Sequence, residues 1–316
     1  MTIYIRSISG ISPGSNPGAP VVPAIPTIRE GNRLKAVEPD YGPYFDAKQI
    51  RRTSRIVRMG VAAALNCLRE AGHAQPEAVT TGTGYGCLED TGVFLERLIR
   101  QQEEMLSPTA FIQSTHNTVG AQIALLLQCT AYNNTFVHRG HSFENALLDA
   151  MLLLEDKAAG TVLTGGVDEI TRESHLLLER FGQGRRGPIG EGAFFFLLSG
   201  EPSPTDWARL DGLHTFYGAT PDEAFMAQLE QFLAARSVQL TDIDQVLLGT
   251  GQRLRLPASK PCREFKDYCG EYPTAVSFAL GLAASEVKGG HAQRILICNS
   301  YLSLYHSFLL VSHVAK

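Results

Sequence analysis

Short apolar runs alternate along this chain with segments whose apolar residues fall at helical spacing, and that alternation admits few architectures. Residues 3–11 (IYIRSISGI) read as a first strand, and the Pro/Gly/Ser-rich stretch at 12–26 reads as loop. Residues 50–72 have helical spacing and stop at Gly72. A short strand at 78–84 runs into glycines, and 88–104 is an amphipathic helix. A second, apolar helix covers 117–128, with Asn117 as candidate cap. A strand at 134–137 then meets an abrupt turn at Arg139-Gly140, followed by a helix over 143–154 with Ser142 as candidate cap. Residues 160–165 (GTVLTG) and 190–198 (GEGAFFFLL) add two strands. The second half repeats the theme: strand 208–216, helix 221–237, strand 244–251, helix 275–287, and strands at 294–300 and 308–312. The class is therefore α/β, a sheet with helices packed on it, and residues 201–206 (EPSPTD) are the expected seam between halves.

Composition narrows the function. Among 316 residues, 44% are hydrophobic and 19% charged, with a net charge of −4, which leaves ample apolar content for a core. A slightly acidic chain without a Lys/Arg run offers no electrostatic footprint for nucleic acid or an anionic membrane. The longest apolar runs fall far short of the roughly 20 residues a membrane-spanning helix needs. The start, MTIYIRSISG, does not read as a signal peptide, so a cytoplasmic location is expected. Six cysteines stand singly, with no CxxC pair and no disulfide framework.

Seven segments, in collinear order across nearly the whole chain, resemble the β-ketoacyl synthases of the thiolase superfamily. They are SISGISPGS (7–15), SPTAFIQSTHNTVGAQIALLL (107–127), GTVLTGGVDE (160–169), PIGEGAFFFLLS (188–199), DIDQVLLGTG (242–251), KDYCGEYPTAVSFALGLAA (266–284) and ILICNSYLSLYHSFLLV (295–311). The resemblance implies a thiolase-like, five-layered α-β-α-β-α fold of two similar halves, 1–200 and 201–316.

Decarboxylative condensation in that family needs a thiolate to hold the acyl chain and two donors to stabilise the enolate, and it calls for no cofactor or metal. The family's nucleophile lies just past a strand, at the start of a helix. Here that turn reads VHRGHSFENALLDA, and the family spacing places Gly140 at the cysteine position. A register one residue either way would place Arg139 or His141 there, and no cysteine exists between Cys129 and Cys262. The two donor histidines correspond to Leu248, before Gly249-Thr250-Gly251, and to Glu271, after Lys266-Asp267-Tyr268-Cys269-Gly270. Leucine cannot donate a hydrogen bond. An ionised Glu about 4 Å from an enolate would repel it by roughly 4 kcal/mol at an effective dielectric near 20, whereas a protonated one could donate. The family's last Gly-rich turn has become Tyr301-Leu302-Ser303-Leu304-Tyr305, whose bulk would fill space near the pocket. Only six residues, 182–187, stand where active members carry a long excursion over the acyl pocket.

This pattern is similar to the chain-length factors, which pair with an active ketosynthase and shape its acyl tunnel. It is most similar to the short, Cys-less partners of ketosynthases making polyene pigments of the aryl-polyene and flexirubin kind. The implied partner is an active ketosynthase, with acyl carrier protein engaged through it and a homodimer when it is absent. The strand at 134–137 and the helix at 117–128 are then the expected dimer core, with Tyr85, Phe94 and Leu98 facing the partner or its tunnel; simple core packing is the competing reading for Phe94 and Leu98.

Other readings compete at single residues. Ser142 with His141 would give an acyl-serine hydrolase or transferase, against the simpler reading of Ser142 as a helix cap. His138 and His141 have metal-ligand spacing but no evident third ligand. Glu89 and Asp90, after GTGYGCL, argue against a phosphate loop. Glu191 reads as structural, Lys266 as a partner for Glu271, and Cys262 and Cys269 as a surface and a buried thiol.

Overall fold

The computed structural model describes residues 2–14, 29–185, 187–251, 254, 256 and 260–314, so most of the 12–26 loop lies outside the described residues. Its strands are β1 (Ile3–Ile11), β2 (Arg29–Glu30), β3 (Arg33–Leu34), β4 (Ala78–Gly82), β5 (Tyr132–Phe136), β6 (Thr161–Asp168), β7 (Gly192–Ser199), β8 (Ala208–Tyr217), β9 (Gln245–Gly249), β10 (Cys262–Glu264), β11 (Arg294–Tyr301) and β12 (Tyr305–Ser312). Its helices are α1 (Ala47–Arg52), α2 (Arg55–Ala71), α3 (Leu88–Arg100), α4 (Pro108–Gln113), α5 (Thr118–Leu127), α6 (Ser142–Glu155), α7 (Arg172–Arg180), α8 (Asp222–Ala234), α9 (Lys266–Cys269) and α10 (Val276–Lys288).

Ten strands follow one hydrogen-bonded order, β10-β9-β11-β12-β8-β1-β7-β6-β4-β5. Reading outward from the middle gives β1-β7-β6-β4-β5 on one side and β8-β12-β11-β9-β10 on the other. Both halves run antiparallel, antiparallel, parallel, parallel. The two half-sheets are joined at β1 and β8 by three residue pairs, Ile3 to Ile5 against Ala208 to Leu210. A register shift in β1 between Ile5 and Ser7 bends the strand at that point. Beyond it α6 and α10 lie between the two five-stranded sheets, and their apolar faces build the central core with Phe143, Leu147, Phe278 and Leu282. A second core joins α2 and α5 to the other face of the N-terminal sheet, and a third joins α8 to the far face of the C-terminal sheet. Helix, sheet, helix, sheet, helix is the five-layered, thiolase-like arrangement.

The run Ala193–Leu198 is apolar throughout because both faces of β7 are covered: Phe194 and Phe196 enter the central core, Phe195 the outer one. Gly10 opposite it is obligatory, since a Cβ there would run into the Phe194 ring.

Several boundaries differ from the sequence expectation. The helix expected over 50–72 is two helices, broken where Ser54 takes an extended backbone (φ −64°, ψ 163°). Its end is as expected, with Gly72 left-handed at φ 68°. The helix expected to reach 104 stops at Arg100, because Gln102, Glu103 and Met105 all adopt positive φ. Asn117 occupies the N-cap place of α5 without capping; its Oδ1 accepts from Thr115 instead. α4 and α7 were not expected. α7 starts with a capping box in which Thr171 Oγ1 accepts from Ser174 N and Ser174 Oγ accepts from Thr171 N, at 3.1 and 3.0 Å.

Candidate functional site

The parallel strands β4, β5 and β6 all end at one edge of the N-terminal sheet, where α/β folds commonly place their sites. At the end of β6 the buried Asp168 carboxylate organises this edge. Its Oδ1 accepts from Gly84 N (2.8 Å), Thr83 Oγ1 (3.1 Å) and Tyr85 N (3.3 Å), and its Oδ2 from Thr274 Oγ1 (2.8 Å) and Thr274 N (3.1 Å). Asp168 thereby ties the turn after β4 to the segment leading into α10, across the two halves. Its segment, GTVLTGGVDE, was singled out for the resemblance, but the carboxylate's role was not, because its partners lie 83 to 106 residues away.

The turn between β5 and α6 is tight and fully engaged. Arg139 takes φ 49°, and His141 N donates to His138 O at 3.1 Å. Ser142 is not the expected cap but the first residue of α6: its Oγ accepts from His138 N and donates to Arg139 O, both at 2.8 Å. His141 points elsewhere. Its Nε2 donates to the His306 carbonyl at 3.1 Å, its ring meets Tyr305 edge-on at 5.1 Å, and burial pulls its pKa down to about 4. Ser142 and His141 are therefore not joined as nucleophile and base. His138 accepts from Asn145 Nδ2 at 2.7 Å, and the His138 and His141 rings stand 6.1 Å apart, edge to face.

Gly140 is buried within this turn, and the space where its side chain would project is taken. A Cβ at 140 would lie 2.6 Å from Tyr301 Cβ, 2.7 Å from Tyr301 Cδ1 and 2.8 Å from Tyr305 Cβ. The bulky residues anticipated from the sequence thus sit directly over Gly140. Tyr301 is almost wholly buried, and its hydroxyl lies 2.6 Å from that of Tyr85.

Glu271 and Lys266 form an ion pair at 2.8 Å, and Lys266 Nζ also donates to the Ser300 carbonyl at 2.7 Å. Burial pushes the Glu271 carboxyl up, while Lys266 opposes that shift. β9 carries the position expected for the first donor. Leu248 packs into the outer C-terminal core, and Gly249 is the residue that faces inward. A Cβ on Gly249 would run into the Phe265 ring and lie 2.9 Å from Lys266 Cε. The neighbouring strand residues thus supply a leucine turned away and a glycine turned in, and neither donates from a side chain.

No described cysteine compensates. Burial pushes the Cys67 thiol up to about 12 and raises Cys87, Cys269 and Cys298 as well, the opposite of an activated nucleophile. Cys262 is exposed and Cys269 buried, as the sequence suggested. Glu191 is structural: its carboxylate takes two bonds of 2.7 Å from the Arg55 guanidinium, plus Ala36 N and Ile170 N at 3.0 and 2.9 Å. A second acid the sequence did not mark is Glu144, wholly buried on α6, where Ser307 Oγ donates to Oε1 at 2.8 Å.

The residues expected to face a partner divide. Tyr85 does not point outward; a half-buried phenol needs a partner, and it finds Tyr301. Phe94 and Leu98 are half-buried on α3, with the Phe94 ring 5.5 Å from Phe111 of α4. α3 buries none of its residues fully, and Ile99 is 74% exposed.

The fold is thiolase-like, the architecture also seen in solved ketosynthase structures. The sequence profile described as "Beta-ketoacyl synthase, N-terminal domain" matches residues 35–178. No curated protein sequence matches the chain. Among solved structures, similarity extends to a complex titled "AntDE:AntF (apo): type II PKS acyl-carrier protein in complex with its ketosynthase bound to the hexaketide". There the TM-score is 0.80 at 14% identity, covering 99% of both chains. The ishigamide ketosynthase/chain length factor matches with a TM-score of 0.77 at 16% identity over 99% of both chains. The ketosynthase ApeO in complex with its chain length factor ApeC, from Xenorhabdus doucetiae, gives 0.78 at 16% identity over 99% of this chain and 98% of that one.

Proposed function

We propose that this chain is the non-catalytic, chain-length-factor-like member of a heterodimer with an active β-ketoacyl synthase, whose acyl tunnel it helps to shape. The observation that carries this reading is the turn at Gly140. A ketosynthase-like fold surrounds it, yet no thiol stands there, tyrosines cover it, and Leu248 and Glu271 stand where the resemblance expects the family's histidines. A fold kept without its chemistry points to a role in assembly.

The surface supports such a role. β5 is the last strand of the sheet, so its outer edge is open to pairing with a further strand. Apolar side chains flank that edge on both faces: Leu125 of α5, which is 68% exposed, on one, and Leu148 and Leu152 of α6 on the other. Phe111 and Ile112 of α4 and Ile99 of α3 are exposed apolar side chains as well. We assign the ketosynthase as the occupant, with acyl carrier protein engaged through it and a homodimer as the default without it. Phe94 and Leu98 are the tunnel-facing candidates, while Tyr85 acts inside its own subunit. The pathway we assign is polyene biosynthesis of the aryl-polyene or flexirubin kind, on sequence resemblance alone, and the halves we assign are 1–200 and 201–316.

The isolated chain is expected neither to load an acyl group nor to decarboxylate a malonyl thioester. Intact-mass spectrometry and CO2 release test this. A stoichiometric acyl adduct, or release above the enzyme-free rate, would overturn the proposal.

A further inference from the structure

We infer that Tyr301 is a built-in plug: its ring fills the space beside residue 140 and keeps thioester-linked acyl chains from entering this subunit there. That these chains are thereby left to the partner's pocket rests on the function proposed above; the plug itself rests on geometry.

The ring is placed by a strained device. Tyr301 and Tyr305 end the antiparallel strands β11 and β12, and Leu304 N donates to Tyr301 O at 3.1 Å across the turn between them. Leu302 and Ser303 both lie in the left-handed region, at φ 56° and 57°, as a type I′ turn requires. Asn and Gly favour that conformation; Leu and Ser do not, so the surrounding contacts hold the turn. The tight turn brings the Tyr301 and Tyr305 side chains together over Gly140. A clamp fixes the ring from the other side. The Tyr85 hydroxyl lies 2.6 Å from the Tyr301 hydroxyl, and the Tyr85 backbone is held by Asp168, which is bound to Thr274 of the opposite half. Tyr301 is only 1% exposed, so a ligand reaching residue 140 must displace it.

Removing the ring should leave a cavity on the order of 100 Å³, of the class known to admit small apolar molecules. The test uses the purified full chain, titrated calorimetrically with p-cresol and with the neutral thioester S-hexanoyl-N-acetylcysteamine. Tyr301→Gly is expected to bind both at one to one, at least tenfold more tightly than the wild type. Tyr301→Phe and Tyr85→Phe, which keep the ring in place, should resemble the wild type. Wild type binding the thioester as tightly as Tyr301→Gly would overturn the inference. So would a Tyr301→Gly chain of native circular dichroism that binds neither probe. If Tyr301→Gly does not fold unaided, refolding with p-cresol decides: recovery supports the plug, and failure with both probes overturns it. Failure of the wild-type chain to pair with a ketosynthase would overturn the proposed function and leave these titrations untouched.

Discussion

Replacing Gly140 by cysteine would restore the residue type that condensation needs, but not its surroundings. The backbone at 140 is not left-handed, so the difficulty lies with the side chain. The new Cβ would meet three carbon atoms at 2.6, 2.7 and 2.8 Å, where ordinary contact begins at 3.4 Å. Two of these are the Cβ atoms of Tyr301 and Tyr305, so no rotamer change relieves the clash and the β11–β12 turn must shift. Overpacking of this kind costs about 2 kcal/mol, and the sulfur adds to it. Urea unfolding should therefore show a lower midpoint at unchanged slope. Exposed Cys262 serves as an internal standard for thiol accessibility. In the folded Gly140→Cys chain the introduced thiol should be alkylated at least tenfold more slowly than Cys262, and no condensation should appear. Stability within about 0.5 kcal/mol of the wild type, with the introduced thiol as reactive as Cys262, would refute the packing argument. Multi-turnover condensation by the variant would refute the loss of donors as well.

Two further outcomes follow from the buried polar groups. Burial pushes the Glu144 carboxyl up to about 7 from 4.5, with Ser307 opposing, so the folded chain keeps a proton that the unfolded chain releases between those values. Its stabilising contribution is complete below pH 4.5 and lost as pH rises through 7. Glu144→Gln should then exceed the wild type by roughly 3 kcal/mol at pH 8 and lose that advantage toward pH 5, and a difference independent of pH would contradict this. Ser142→Ala strips the turn of two hydrogen bonds and should cost on the order of 1 kcal/mol in denaturant unfolding; loss of an acyl adduct present in the wild type would instead revive the acyl-serine reading.

Much of the layering was legible because strands covered on both faces have a sequence signature. The GEGAFFFLL run read as a strand, and the alternation at Ile3–Ile11 marked the extent of the first one. Boundaries set by tertiary contact were not legible. The break at Ser54 interrupts an unbroken helical pattern, and α7 has no fully buried residue to give it an apolar stripe. At the site, the absence of any cysteine between Cys129 and Cys262 could be read directly, and so could the bulk of Tyr301. The facing of β9 could not, because a run of apolar and glycine residues from Val246 to Gly249 lacks the polar alternation that tells one face from the other. Tyr85 was expected at the partner surface for a related reason: its hydrogen bond spans 216 residues, and no local pattern carries that information. Asp168 and Glu144 escaped notice because their significance lies in burial.

Whether this chain pairs with an active ketosynthase, as proposed, is decided by the mass of the co-expressed complex. The chain should be produced together with a ketosynthase that carries the Cys-His-His set, then sized by chromatography with light scattering and native mass spectrometry. One copy of each chain in a stable complex is expected, with the pairing lost when Leu148 and Leu152 beside β5 are both changed to Asp while the chain stays folded. Two separate homodimers that never exchange subunits, with the ketosynthase fully active alone, would contradict the account.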